Sequence, residues 1–227
     1  MMKRTLSVMP ETAALLCVDL QEEHRQDSRY LVEGFDQVLV NIGRLQTAAR
    51  QAAIPIYHSA YVVDTAHAQR PFHPIMPDGK SAFSDVNDPL SAICPEVGPA
   101  GDEIVLIKTD ASSFSQGEIN LLLKARGIEW LYIAGVWTEA CIAVTVKDAV
   151  DLGFRVALVK DACGSGSAAI HQTAILNLAN RLYGGAVVDT DGACRLMAGE
   201  TIDAWQIQGS VPLRYTFENA AELYRGL

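Results

Sequence analysis

No stretch of this sequence approaches the ~20 consecutive apolar residues that span a bilayer, so no membrane-crossing helix is expected. Positive charge is also scarce. Eighteen Lys and Arg stand against 27 Asp and Glu, a formal net charge of −9. That balance argues against a nucleic-acid footprint and against attraction to an anionic membrane surface. Lys3 and Arg4 near the N-terminus are not followed by a long apolar segment, so a signal peptide is not expected. There are five cysteines, an odd number at wide spacings and without a C-x-x-C pair. This speaks against a disulfide framework or a structural zinc site and for a reducing, cytoplasmic compartment. Cys17 lies inside an apolar run and reads as filler. Cys163 follows a strand and is placed to face a cleft. Repeats and low-complexity segments are absent.

What remains is ordinary globular composition, 49% hydrophobic and 20% charged over 227 residues. That length suits one large α/β domain. Apolar runs at Ala13–Asp19, Ile54–Tyr61, Glu103–Lys108, Trp130–Ala134, Arg155–Asp161 and Ala186–Asp189 read as strands. Helical periodicity covers 38–52, 116–126, 138–152 and 167–182, with Gly127 and Gly153 as stops. Alternating strands and helices predict βαβ units with right-handed crossovers. The expected fold is α/β, a three-layer Rossmann-like arrangement with a six-stranded, mostly parallel sheet flanked by helices. Ligands of such sheets bind at the carboxyl ends of the strands. Residues 64–102 are irregular and hold six of the nine prolines; a connection this long reads as a functional cover. From 191 onward, Trp205, Tyr215, Phe217 and Tyr224 make an apolar tail that packs on its own domain or on a partner subunit.

Cys141 is the most informative residue. The run Leu131–Ala134 is broken by Gly135, and Thr138 and Glu139 open a helix. A thiol therefore sits in the first turn of a helix at the carboxyl end of a strand. The positive end of the helix dipole and its unpaired N–H groups are expected to lower the thiol pKa and to offer donors to an oxyanion. Asp19 and Lys108 end two other strands, so all three should project from one sheet edge. An ammonium stabilises a thiolate, and a carboxylate can take the thiol proton and later deliver it to a leaving amine. No histidine is needed.

With these residues the chain resembles the isochorismatase-like cysteine hydrolases, a superfamily that includes nicotinamidases, N-carbamoylsarcosine and ureidoacrylate amidohydrolases, and isochorismatases. The resemblance rests on Leu16-Cys-Val-Asp19-Leu-Gln21, on Lys108 with Ser112-Ser-Phe114, and on Gly135-Val-Trp-Thr138-Glu-Ala-Cys141. It continues through Lys160-Asp161-Ala162 and His171, and covers roughly residues 11 to 190. It implies a hydrolase domain over 1–190 with an extension over 191–227. It implies that Asp19 is the general base and acid, that Lys108 holds the thiolate, and that Cys141 forms a covalent acyl intermediate. It implies a cis Val136–Trp137 peptide, with the backbone N–H groups of Trp137 and Cys141 forming the oxyanion hole. Phe114 matches a family position that packs on the substrate, and Trp137, His58 and Gln21 are the further candidate substrate contacts.

The nicotinamidase pattern, Asp-x-His and a second histidine, fails here. Asp64 is followed by Thr65 and Ala66, and His67 is one place too far along. No metal and no cofactor are therefore expected. The vinyl-ether-cleaving isochorismatases carry glycine where this chain keeps Cys141, which favours cleavage of a C–N bond in a small amide or ureido compound. Two rivals stand beside that reading: a vinyl-ether hydrolase, and a catalytically degenerate binding module. A small-molecule substrate and a homo-oligomer, dimer or tetramer, are expected partners. Plain structural roles also compete. His58 reads as a pocket residue or a satisfied strand histidine, and Phe114 as a substrate contact or core. Trp137 is a stacking platform or packing. His171 reads as a structural hydrogen-bond partner. Tyr61, His67 and His73 come from the irregular region and carry no assigned role. The run Glu22-Glu-His-Arg reads as a solvated turn that follows Asp19 at the rim of the cleft.

Overall fold

A computed structural model of the chain describes residues 3–67, 72–209 and 211–227. The main sheet has six strands, all parallel: β2 (Ala13–Val18), β3 (Ile56–Tyr61), β4 (Ile104–Lys108), β5 (Trp130–Val136), β6 (Arg155–Gly164) and β7 (Ala186–Val188). Their spatial order is β4-β3-β2-β5-β6-β7. The chain therefore builds outward from β2 to one edge, returns to the centre at β5, and builds outward to the other edge. That reversal makes the carboxyl ends of β2 and β5 the switch point, where doubly wound sheets leave a crevice. A second, antiparallel pair joins β1 (Arg4–Leu6) to β8 (Ile202–Ala204).

Parallel strands covered on both faces read as continuous apolar runs, and β2 is buried at all six positions. Its side chains alternate. Ala13, Leu15 and Cys17 enter one core, under α2 (Phe35–Gln51) and α6 (Thr190–Met197). Ala14, Leu16 and Val18 enter the other, under α3 (Glu118–Ala125), α4 (Ala143–Asp151) and α5 (Ala168–Ala179). Ile42 and Leu45 of α2 are fully buried, and each such side chain contributes about 1.5–3 kcal/mol. Two helix starts are capped by side chains: at α5 Ser167 accepts from the backbone N–H of Ile170, and at α6 Asp189 accepts from that of Gly192. Among the described residues, no helix is long and apolar enough to cross a membrane.

The sheet departs from the expected pattern at Gly135. This glycine does not end β5; pairing with β6 continues through Val136, after a register shift between Ile133 and Gly135. A Cβ at Gly135, where φ is +132°, would lie 2.0 Å from the carbonyl oxygen of Val18. Glycine here permits close approach of β5 to β2 rather than a break. The helix expected from Thr138 begins instead as a π-helical turn, Thr138–Ile142, and becomes α4 at Ala143.

Two short elements complete the site. The helix α1 (Glu23–Gln26) follows β2 almost at once. Among its described residues, the connection between β3 and β4 carries single 3₁₀ turns at Pro89–Ser91 and Pro95–Val97 and isolated bridges such as Val63–Asp85 and Ile75–Ser81; residues 68–71 of it lie outside the described residues. Residues beyond 190 wrap the domain. Trp205 pairs with Val187 at the β7 edge, and α7 (Ala220–Gly226) packs on α5.

Candidate active site

Three strand ends deliver three groups to one point. Asp19 follows β2 with a left-handed backbone (φ 52°), and its N–H donates to the carbonyl of Ser59 in β3. Lys108 is the last residue of β4. Cys141 lies in the π turn after β5. Lys108 comes from the edge strand and reaches over the end of β3, where its Nζ sits 4.8 Å from the ring centre of Tyr61. Nζ donates to Asp19 Oδ2 at 2.8 Å and to Cys141 Sγ at 3.4 Å. It also lies 3.1 Å from the carbonyl oxygens of both Asp110 and Ala111. Asp19 and Lys108 are 3% and 2% exposed, so this is a buried ion pair with the thiol beside it. Four acceptors share one ammonium, which leaves Lys108 no proton to spare.

Burial pushes the Asp19 carboxyl above its usual range, against the pull of Lys108 and of the Cys141 thiol. Its Oδ1 is buried and has no hydrogen-bond partner among the described residues. Burial disfavours the Lys108 ammonium, yet Asp19 and Cys141 outweigh it and hold its pKa up. The thiol behaves differently from the sequence expectation. Burial, and after it the Asp19 carboxylate, push Cys141 up to about 12, and Lys108 only partly offsets them. Position at a helix start does not decide the thiol here; desolvation does. The resting arrangement is thus a thiol beside a carboxylate of raised basicity, bridged by an ammonium. The Val136–Trp137 peptide is cis.

The cleft above these groups has a volume of about 420 Å³. Asp19, Cys141, Ala140 and Ala111 form its floor; Tyr61, Trp137, Tyr30 and Phe83 form its walls, with Glu23, His24 and Ser84 between them. Of the four substrate contacts implied by sequence, the structure brings only Trp137 to this cleft. Gly166 makes room for its indole, since a Cβ there would lie 2.8 Å from the ring. Gln21 is fully buried elsewhere. Its Nε2 donates to the carbonyls of Tyr61 (2.9 Å) and Ser91 (2.7 Å), and its Oε1 accepts from the Tyr61 N–H. It therefore clamps the β2 and β3 ends to the long connection. Phe114 is in the core and stacks on Phe154, with centroids 5.9 Å apart. His58 lies three residues short of the β3 end, buried, with Nε2 3.1 Å from Glu103, which also pairs with Arg50 of α2. It is not at a strand end and so cannot reach the crevice. Cys163 is likewise in the core, 4% exposed, and does not face the cleft. His67 is exposed and bonds Asp64 at 2.7 Å, and His73 packs against Phe83.

Sequence reasoning passed over Tyr30, Phe83 and Ser84 as cleft residues and read Glu23 and His24 as part of a solvated turn at the cleft rim. Adjacency of Glu23 and His24 to Asp19 was the available signal, and α1 turns them inward rather than into solvent: they are 5% and 6% exposed. Behind the nucleophile, a polar chain links the C-terminus to the π turn. Thr138 Oγ1 donates to the Gly164 carbonyl at 2.8 Å, so it must accept from His171 Nδ1–H at 2.8 Å. His171 Nε2 then accepts from the Tyr224 hydroxyl at 3.0 Å. Among the described residues, Glu22, Cys94 and Glu96 are grouped closely enough to suggest metal ligands, but Arg25 already pairs with both carboxylates.

Known proteins agree with this architecture. A family model described as an isochorismatase domain matches residues 13–192. Ureidoacrylate amidohydrolase RutB of Klebsiella pneumoniae is 27% identical over 225 residues, covering 87% of this chain and 92% of that protein. N-carbamoylsarcosine amidase of an Arthrobacter species is 23% identical over 197 residues, covering 81% of this chain and 70% of that one. The crystal structure of a cysteine hydrolase from Pseudomonas syringae pv. phaseolicola superposes with a TM-score of 0.75 at 19% identity, covering 87% of this chain and 97% of that one, a likeness of fold. With its family model spanning most of its length and a six-stranded parallel sheet of the matching kind, the chain belongs to the isochorismatase family of hydrolases.

Proposed function

We propose that this hydrolase cleaves the C–N bond of a small amide or ureido compound through a thioester on Cys141. One observation carries the reading: a single buried ammonium donates at once to a carboxylate and to a thiol on the floor of a cleft. As Cys141 Sγ attacks the substrate carbonyl, its proton passes to Asp19, whose raised pKa makes it a better base than an exposed carboxylate. Lys108 stays charged throughout and steadies the sulfur as negative charge develops. The tetrahedral oxyanion is held by the backbone N–H groups of Trp137 and Cys141; one such donor is worth roughly 2.7–4 kcal/mol in other hydrolases. Collapse breaks the C–N bond, and the protonated Asp19 gives its proton to the departing nitrogen. Water, deprotonated by the same carboxylate, then attacks the thioester and returns the free thiol. The products are ammonia or an amine, and an acid or carbamate. Two relatives named as an amidohydrolase and an amidase support the bond type.

Ammonia release from a panel of primary amides and ureido acids tests the reading. Activity present in the native chain and lost in both Cys141→Ala and Asp19→Asn is expected. Undiminished activity in Cys141→Ala would sink it. A homo-oligomer belongs to the same proposal: Val105 and Ile107 on the edge strand β4 and Leu121 on α3 are exposed apolar side chains. Light scattering that returns a monomer at micromolar concentration would remove that part.

A further inference from the structure

The cleft has an unusual charge inventory for a site expected to handle small polar amides. Its walls are rings: Tyr30, Tyr61, Phe83 and Trp137. Phe83 gathers two of them, with Tyr30 edge-on at 5.7 Å and Tyr61 tilted at 5.6 Å, and is backed by His73 at 5.2 Å. Flat apolar surfaces of this kind accept a flat apolar body.

Ionisable groups in the cleft are acidic or already engaged. Asp19 and Glu23 both line it. Both carboxylate oxygens of Glu23 are held by one residue: Oε2 accepts from the Ser84 N–H at 2.9 Å and Oε1 from the Ser84 hydroxyl. Ser84 adopts a left-handed backbone there (φ 51°). Glu23 is thus a built acceptor, only 5% exposed, and not a surface acid. The one histidine in the wall does not offer a cation. Trp137 Nε1 donates to His24 Nδ1 at 3.3 Å, so the ring proton sits on Nε2 and the imidazole is neutral. Burial keeps it so, holding its pKa down at about 4. Lys108 is spent on Asp19, Cys141 and two carbonyls. Among the described lining residues, then, no uncommitted cation awaits a substrate carboxylate, and with Asp19 paired to Lys108, Glu23 is the acid that would face it.

We infer that the cleft selects an uncharged amide with a flat apolar body and turns away carboxylate-bearing ones, with Glu23 as the specificity-determining group. This rests on the amide-hydrolase reading and sharpens it. It also separates the chain from the relatives above, since ureidoacrylate and N-carbamoylsarcosine are themselves carboxylates.

Three matched probes test the inference: cinnamamide, its 4-carboxylate, and the methyl ester of that carboxylate as a control for bulk. Calorimetric titration at pH 7.5 into Cys141→Ala reads binding without turnover. The neutral amide and the ester are expected to bind about 100-fold more tightly than the carboxylate, the scale of an unfavourable like-charge contact. In the Glu23→Gln, Cys141→Ala double variant that ratio should narrow about tenfold. Ser84→Ala, which removes only the hydroxyl that orients Glu23, should narrow it less. A carboxylate bound as tightly as the ester overturns the inference, as does an unchanged ratio in Glu23→Gln or the failure of both neutral probes to bind. Ammonia release is scored separately on the native chain. Neutral probes that bind but are never hydrolysed would remove the amidase reading and leave the pocket's selectivity standing.

Discussion

The floor of the cleft and the outer part of its wall, Tyr30, Phe83, Ser84 and α1, are built by different kinds of chain. The floor comes from three βα junctions of one sheet: Asp19 and Cys141 follow β2 and β5, which are buried and paired on both sides, and Lys108 ends the edge strand β4. The wall is mixed: Tyr61 and Trp137 stand at the ends of β3 and β5, whereas Tyr30, Phe83, Ser84 and the residues of α1 come from a short helix, the segment after it and the long β3–β4 connection. Rigid strand ends hold reacting atoms to the tolerance that chemistry demands, whereas loops can vary the substrate without disturbing it. Floor substitutions should therefore act on turnover, and wall substitutions on which substrate is bound.

The largest expected effect is at the nucleophile: Cys141→Ala should reduce ammonia release by about 10⁴-fold or more while leaving the melting transition near native. Next comes Lys108→Met. It strands a buried carboxylate, and uncoupling such a pair costs about 3–5 kcal/mol. Activity should be lost and the urea midpoint lowered together. A stable Lys108→Met protein with native turnover would break the distinction between floor and wall, because the most buried floor group would then be dispensable. Phe83→Ala should raise KM for a flat neutral amide about tenfold or more with kcat changed far less, in keeping with the loss of a large aromatic contact; an equal fall in kcat would erase the comparison from the other side.

A pH series sharpens it further. His24 in the wall and His171 behind the floor are both held near 4, against an ordinary 6.5, chiefly by burial. Between those values the unfolded chain binds the proton and the folded chain does not. Stability is therefore fully present above about pH 6.5 and is lost as pH falls toward 4, by up to roughly 3 kcal/mol for each ring. Urea titrations at pH 7.5 and 4.5 should show the drop, and His171→Gln should shrink it. The smallest effect belongs to Tyr224→Phe, which removes one hydrogen bond from His171 at a cost of about 0.5–1.5 kcal/mol. Little change in turnover should accompany it.

The same division explains what was legible in the residues. Asp19, Lys108 and Cys141 could be brought together on paper because each ends or closely follows a run whose period and length declare a strand, and parallel strands point their carboxyl ends one way. The parallel six-stranded sheet followed from the same alternation. The glycine at 135 misled, since a residue that allows two backbones to touch carries the same letter as one that ends a strand. The thiol misled for a related reason: helix position is local and visible, but the burial and the neighbouring carboxylate that push Cys141 upward exist only after folding. Gln21 and His58 read as substrate contacts, yet Gln21 spends its amide on backbone partners 40 and 70 residues away, and His58 answers to Glu103. Tyr30, Phe83 and Ser84 left no trace, because no periodicity marks a loop residue that faces inward.

One measurement bears most directly on the convergence of acid, amine and sulfur: the intact mass of the protein quenched in acid during turnover of an amide it hydrolyses. An added mass equal to the substrate's acyl group, mapped to Cys141 and missing in Asp19→Asn, is the expected result. Steady turnover by protein already alkylated at Cys141, with no acyl mass at any time, would contradict it.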